Sequence, residues 1–181
     1  LHVSDDGGLG WAPAIPARGG DKPWLAVDRD RRHVYVSWDS SYSCCGNSSF
    51  ARSTDAGETF EEAVEITPAP ALGTMAVGPD GEVYVSGILD VATFAVARSD
   101  DAREPGAPPT FTVSEANLGG SFGFLEQPNP GGLAGMPWIA VGRAVGPLRA
   151  QVLTHQRRCG RTHPGADEVV DELELVADAE S

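Results

Sequence analysis

Apolar and polar positions along this chain fall into short runs that return at a nearly fixed distance. Val34-Tyr35-Val36-Ser37 recurs as Val83-Tyr84-Val85-Ser86, 49 residues later (83 − 34). Upstream of each lies another apolar run, Trp24-Leu25-Ala26-Val27 and Thr74-Met75-Ala76-Val77. A third copy, Pro137-Trp138-Ile139-Ala140-Val141, echoes Pro23-Trp24-Leu25-Ala26-Val27. Runs of this length, rich in β-branched and aromatic residues, read as strands. The pattern predicts strands near residues 24–28, 33–39, 48–54 and 59–67, then near 73–78, 82–88, 93–99 and 110–116. Asp28-Arg29-Asp30 and Pro79-Asp80-Gly81 supply tight turns between the first two strands of each set. The helices that a parallel α/β fold needs between its strands are not evident before residue 160. The expected class is all-β, with four short strands per repeat.

A second motif keeps step with the strands. Ser4-Asp5-Asp6-Gly7-Gly8-Leu9-Gly10-Trp11 fits Ser-x-Asp-x-Gly-x-x-aromatic, and Ser53-Thr54-Asp55-Ala56-Gly57-Glu58-Thr59-Phe60 fits it again. Ser99-Asp100-Asp101-Ala102-Arg103 begins the same way and departs at Arg103, which stands in the place of the glycine. The serines are 49 and 46 residues apart (53 − 4 and 99 − 53). Such a stretch closes a hairpin between a third and a fourth strand. Its Asp (Asp6, Asp55, Asp101) accepts hydrogen bonds from N–H groups of its own turn. Gly8 and Gly57 permit a positive φ. Ser4, Ser53 and Ser99 add a local hydrogen bond, and Trp11 and Phe60 are expected to pack back beneath the sheet.

This motif resembles the Asp-box, the bacterial neuraminidase repeat of sialidases and their propeller relatives. The resemblance covers roughly residues 4–142. It is specific for fold more than for activity, because sialidases, sortilin-like receptors, photosystem assembly factors and some glucan hydrolases all carry the box. It implies a β-propeller of four-stranded antiparallel blades. About three blades are recognisable here, so a propeller fragment is expected. The resemblance also implies an extracellular or cell-envelope location. Its functional expectation is a sialidase-like glycoside hydrolase of exo-α-sialidase type, or a glycan-binding relative. The alternative is a non-catalytic propeller acting as a protein-interaction or scaffold module.

Composition narrows the partners. The 181 residues carry 26 acids against 13 Lys and Arg, a formal net charge of −13. A surface so acidic repels phosphate backbones, so nucleic acid is not an expected partner. No apolar run is long enough for a membrane span. The chain opens at Leu1, without Met and already beside a motif, which suggests that its true N-terminus lies upstream. Residues 1–142 read as the partial repeat domain and 143–181 as a divergent tail. No clean second strand is evident after Val141. Val169, Val170, Leu173 and Val176 stand at helical spacing and suggest a short C-terminal helix. A disordered acidic tail and an altered reading frame are the alternatives. Open sheet edges in such an array favour a protein partner or self-association.

In propellers of the resembled kind the box turns lie on one face and the functional loops on the other. Mapped here, the entry loops are 18–23, 68–73 and 118–136, and the cross loops are 38–48 and 87–93. Asp21 is the candidate acid and Tyr42 the candidate nucleophile. Arg18, Lys22, Trp38, Asp39, Asp90 and Glu126 are candidates for the binding face. A sialidase of this kind clamps its substrate carboxylate with three arginines and uses a Tyr activated by Glu beside an Asp acid/base. The Arg-Ile-Pro element of many sialidases is absent, and no arginine triad can be assembled from residues 4–142. No cofactor is expected. Calcium at Asp39 or Asp90 is conceivable, but no metal-ligand spacing supports it. Cys44, Cys45 and Cys159 form no framework. The adjacent pair reads as loop-packed thiols, with a vicinal disulfide or a metal site as alternatives.

Overall fold

The computed structural model describes residues 1–117, 137–142, 150–156 and 170–176. These form three antiparallel meanders. The first contains β1 (Asp21–Val27), β2 (Val34–Asp39) and β3 (Phe50–Ser53), with one 3-10 turn at Ser40–Tyr42. The second contains β4 (Met75–Val77), β5 (Val83–Ile88), β6 (Phe94–Ser99) and β7 (Thr112–Ala116). The third pairs β8 (Trp138–Val141) with β9 (Ala150–Gln156), and β9 with β10 (Val170–Val176). The class is all-β. No helix among the described residues is long and apolar enough to cross a membrane.

Three expectations change. The fourth strand expected at 59–67 shrinks to a single bridge, Phe50 to Val64. Val141 is followed by a second strand after all, with Trp138 opposite Leu153 and Val141 opposite Ala150. The segment with helical spacing is β10, paired with β9 from Val170–Gln156 through Val176–Ala150. Seven inter-strand partners outweigh a weak helical period, and Leu173-Glu174-Leu175 carries the competing period of two.

The repeat seen in the sequence is a repeat of register. Tyr35 pairs with Arg52 and Val34 with Ser53 in the first sheet, just as Tyr84 pairs with Arg98 and Val83 with Ser99 in the second. The first strands β1, β4 and β8 lie beside one another. Trp24 donates its indole N–H to the Met75 carbonyl at 3.1 Å and meets Trp138 edge-on at 4.9 Å. The Ile139 N–H reaches the Thr74 hydroxyl at 2.9 Å. Apolar side chains fill the space between sheets. Tyr35, Phe50 and Ile66 of the first pack on Met75, Val83, Val85 and Ala97 of the second. Tyr84, Phe94 and Val96 of the second pack on Ile139. Each fully buried side chain of this size contributes about 1.5–3 kcal/mol.

The Ser-x-Asp turns share one wiring. The hydroxyls of Ser4, Ser53 and Ser99 donate to Asp6, Asp55 and Asp101 at 2.8, 2.6 and 2.8 Å. Asp6 accepts the Gly10 N–H and Asp55 the Thr59 N–H, each at 2.9 Å. Gly8 and Gly57 hold φ of 91° and 88° and donate to their serine hydroxyls. The third turn is complete in spite of Arg103. Asp101 takes the N–H and the hydroxyl of Thr110, nine residues on (110 − 101), where Asp55 takes those of Thr59, four residues on (59 − 55). The third turn therefore carries an insertion. Phe111 follows Thr110 as Phe60 follows Thr59, and Phe111 meets Phe50 edge-on at 4.9 Å. Trp11, by contrast, is 63% exposed and does not pack beneath a sheet.

Two arginines bind the insertion to the first sheet. Arg103 grips Asp28 with two bonds of 2.6 and 2.7 Å and donates to the Asp80 carbonyl at 2.8 Å. Arg52, fully buried, reaches the carbonyls of Ala102 and Ala107 at 3.0 and 2.7 Å and Glu61 at 2.8 Å. Burial opposes ionisation of Asp28, but the hydrogen bonds and charge of Arg103 outweigh it and hold the carboxyl below the usual range. Arg103→Met is expected to cost about 2–4 kcal/mol, because it strands a buried carboxylate. Urea unfolding of the variant checks this, and a loss under about 1 kcal/mol refutes the staple.

The turn carboxylates also set an acid limit. The hydroxyls of Ser53 and Thr59 and the Thr59 N–H hold Asp55 down to about 2. An unfolded Asp titrates near ~3.9. The stabilisation is therefore complete above that value and is lost as pH falls toward the folded pKa. Asp55→Asn should cost about 1 kcal/mol at neutral pH, and its gap from the wild type should close as pH drops from about 4 toward 2. Thermal unfolding across that range checks it, and a gap independent of pH would count against the assignment.

Candidate functional site

Antiparallel meanders put every second connection at the same end of the sheets. The turns at Asp28–His33, Ser53–Thr59, Asp80 and Asp101–Thr110 lie at one end. The loops 18–22, 40–49, 70–74 and 89–93 lie at the other, and most of the candidate residues belong to these loops.

The start of β1 brings Asp21 opposite Asp39 at the end of β2. Close approach of the two loops depends on Gly20, where any Cβ would run into the Trp38 ring and the backbone carbonyls of Asp39 and Tyr42. Trp38 is buried and donates its indole N–H to the Ser43 hydroxyl at 2.9 Å. Ser43 is the organising side chain of this loop. It donates to the Ser48 carbonyl at 2.7 Å and accepts the Cys45 N–H at 3.0 Å. The Cys44 N–H closes onto the Gly19 carbonyl at 2.9 Å. Cys44 and Cys45 are joined as a disulfide, whereas the sequence favoured thiols. Cys159 lies outside the described residues.

Most candidates here serve their own loops. Asp21 accepts the Lys22 N–H at 2.9 Å and pairs with the Lys22 ammonium at 3.1 Å. Asp39 is buried and caps the 3-10 turn by accepting the Ser41 N–H at 2.8 Å. Arg18 is paired with Glu62 at 2.6 Å. Asp90 accepts the N–H groups of Ala92 and Thr93 at 2.8 and 2.9 Å, which, with the Thr93 hydroxyl, hold it below the usual carboxylate range. Tyr42 is different: it is 73% exposed on the short turn between Asp39 and the disulfide. Arg18, Asp21, Lys22, Trp38, Asp39 and Tyr42 thus share one loop pair, while Asp90 sits in the hairpin of the second sheet. Glu126 lies outside the described residues.

Among the described residues no three arginines converge at this end. Arg52 and Arg98 lie on β3 and β6, Arg103 in the insertion, and Arg29, Arg31 and Arg32 in the opposite turn. Three potential cation ligands do meet at that opposite end: atoms of Asp28, Asp30 and His33 lie within 4.8 Å of one another. They are already engaged. Arg103 takes both Asp28 oxygens, and Asp30 accepts from the Arg32 and His33 N–H groups and the His33 ring. Burial works against the Asp30 charge, yet those bonds hold it down to about 2. This arrangement is an ion-paired turn, closed to a cation by its own arginine.

Sequence reasoning missed Ser43, Arg103 and Thr110. Thr59-Phe60 and Thr110-Phe111 were the available signal for Thr110, because matching those pairs exposes the insertion. Ser43 and Arg103 act on partners that no spacing rule pairs with them.

Compared with protein-family models, curated proteins and solved structures, the chain matches none. What the fold and site define is an all-β repeat protein with structural turns at one end and a polar, aromatic, disulfide-bearing loop pair at the other.

Tyr42→Ala is expected to leave the melting temperature unchanged within about 1 °C, because an exposed side chain carries little stability. Asp39→Ala should cost about 1 kcal/mol through loss of the cap. Paired calorimetric scans check both, and a larger loss for Tyr42→Ala would mean that it supports the fold.

Proposed function

We propose that this chain is an arc of an Asp-box β-propeller related to the sialidases, and that it binds glycan at its loop end without hydrolysing it. The observation that carries the propeller reading is the identical register of the Tyr–Arg and Val–Ser pairs in two successive sheets whose first strands lie side by side. Radially repeated antiparallel sheets are the propeller's construction. The glycan reading rests on Tyr42, an exposed ring on a short capped turn, flanked by Asp21, Lys22 and the disulfide. Such a ring offers an apolar face to a sugar while charged neighbours bond its hydroxyls. The carboxylates of this end favour binding without cleavage. Asp21 and Asp39 are engaged in bonds within their own loops, and the Ala92 and Thr93 N–H groups with the Thr93 hydroxyl hold Asp90 below the usual carboxylate range, away from the protonated acid that glycoside cleavage needs. The Cys44–Cys45 disulfide fits an oxidising, extracytoplasmic compartment.

A glycan array probed with the labelled chain, beside a fluorogenic sialoside assay, tests this reading. Binding without turnover is expected, with Tyr42→Ala weakening binding about threefold to tenfold. Sialoside turnover overturns the non-catalytic assignment. Binding to no glycan overturns the ligand and favours the protein scaffold.

A further inference from the structure

The contact between successive sheets is built more than once in this chain, and its first copy is half complete. Residues 1–17 repeat residues 50–66 at a constant offset of 49 (50 − 1). Leu1 and Ile15 exchange backbone bonds of 3.0 and 2.8 Å as Phe50 and Val64 do at 3.2 and 2.7 Å. Leu1 and Ala17 pack on Val36, Trp38 and Ala51, as Phe50 and Ile66 pack on Val85 and Ala97 in the next interface. The N-terminal hairpin thus occupies the third- and fourth-strand places of a sheet that precedes β1.

The first- and second-strand places over β1 are open among the described residues. Leu25 lies opposite Val36 as Met75 lies opposite Val85, and Ile139 holds the same place in the run Pro137–Val141. Met75 and Ile139 are 4% and 3% exposed, because strands of the preceding sheet cover them. Leu25 is 42% exposed and Val27 54%. What covers Met75 includes Trp24, Ala26 and Tyr35 from a first and a second strand. The N-terminal hairpin brings no equivalent of these. Residues 1–3 use one backbone edge for Ala12 and Ile15, and no described residue bonds to the other.

We infer that the Leu25–Val27 face and the open edge of Leu1–Val3 form a docking seat for an antiparallel strand pair of the repeat's own pattern. Its second strand carries a tyrosine at the place of Tyr35 and Tyr84 and pairs with residues 1–3. Its first strand lies against β1 as β1 lies against β4. This seat rests on the repeat register alone and stands whether or not the chain binds glycan.

The test joins a copy of residues 73–95 ahead of Leu1, which places Leu1 where Val96 follows Ala95 and puts the copied Tyr84 opposite Val3. The melting temperature of the extended chain should rise by roughly 5 °C or more. Leu25→Asp and Val27→Lys, each close to neutral in the original chain, should become strongly destabilising in the extended one. No rise, or equal effects of the substitutions in both backgrounds, overturns the inference. Sedimentation of the original chain supplies the second arm. Self-association abolished by Leu25→Asp would make a second copy the occupant and overturn the strand pair, whereas a mass of 18.9 kDa at all concentrations agrees with it.

Discussion

The pairing of Arg103 with Asp28 is the constraint on which the arrangement of the first two sheets depends. Asp28 follows the first strand of one sheet, and Arg103 stands in a turn of the next, 75 residues away. The Asp28 side chain has no exposed surface. A carboxylate in that position must be matched by a cation with good geometry or it opposes folding. The guanidinium supplies two parallel bonds and a third to the Asp80 carbonyl, so two turns and an insertion are fixed by one side chain. Arg52 completes the arrangement from the other side. With 1% of its side chain exposed, it needs the insertion's carbonyls as acceptors. The insertion and the first sheet therefore satisfy each other's buried polar groups, and neither can withdraw alone.

That dependence explains why equivalent residues behave differently. Arg52 and Arg98 hold the same register opposite Tyr35 and Tyr84. Arg52 is enclosed by the insertion, whereas Arg98 keeps 31% of its side chain exposed, bonds to Asp100 and lies 5.7 Å over the Tyr84 ring. One strand position thus yields a buried linker in one copy and a half-exposed cation–π contact in the other. The repeat preserves backbone register, and the lengths of its turns decide what each side chain meets.

Much of this architecture was legible. The Val-Tyr-Val-Ser runs located β2 and β5 to within a residue, because a short apolar run rich in β-branched and aromatic residues between turn signals marks a strand buried on both faces. The Ser-x-Asp turns were equally local, since donor and acceptor stand two residues apart. Legibility failed where long-range pairing decided the outcome. Val170–Val176 is a strand because β9 offers it an edge, and nothing in its own spacing announces that partner. The completion of the third turn by Thr110 was hidden by the insertion, and the Arg103–Asp28 pair by 75 residues of separation. The loop end was half legible. Strand ends placed Asp21, Asp39 and Tyr42 together, but the hub at Ser43 emerged only from the bonds it makes to Trp38, Ser48 and Cys45.

Hydrogen bonding within the loops also shapes the chemistry of the loop end. Backbone N–H groups and close cationic partners stabilise a carboxylate as an anion, whereas cleavage of a glycoside needs one carboxyl kept protonated by an apolar or anionic neighbourhood. At Asp90 the donors are backbone and hydroxyl groups of its own turn. Asp21 is bonded to the adjacent Lys22 ammonium, and Asp39 caps the short turn that carries Tyr42. These bonds hold the loops in shape and leave Tyr42 presented outward on a framed turn. A loop end so arranged has its polar groups directed at maintaining a surface, which is the physical requirement of a recognition site and the reason the proposed function is binding.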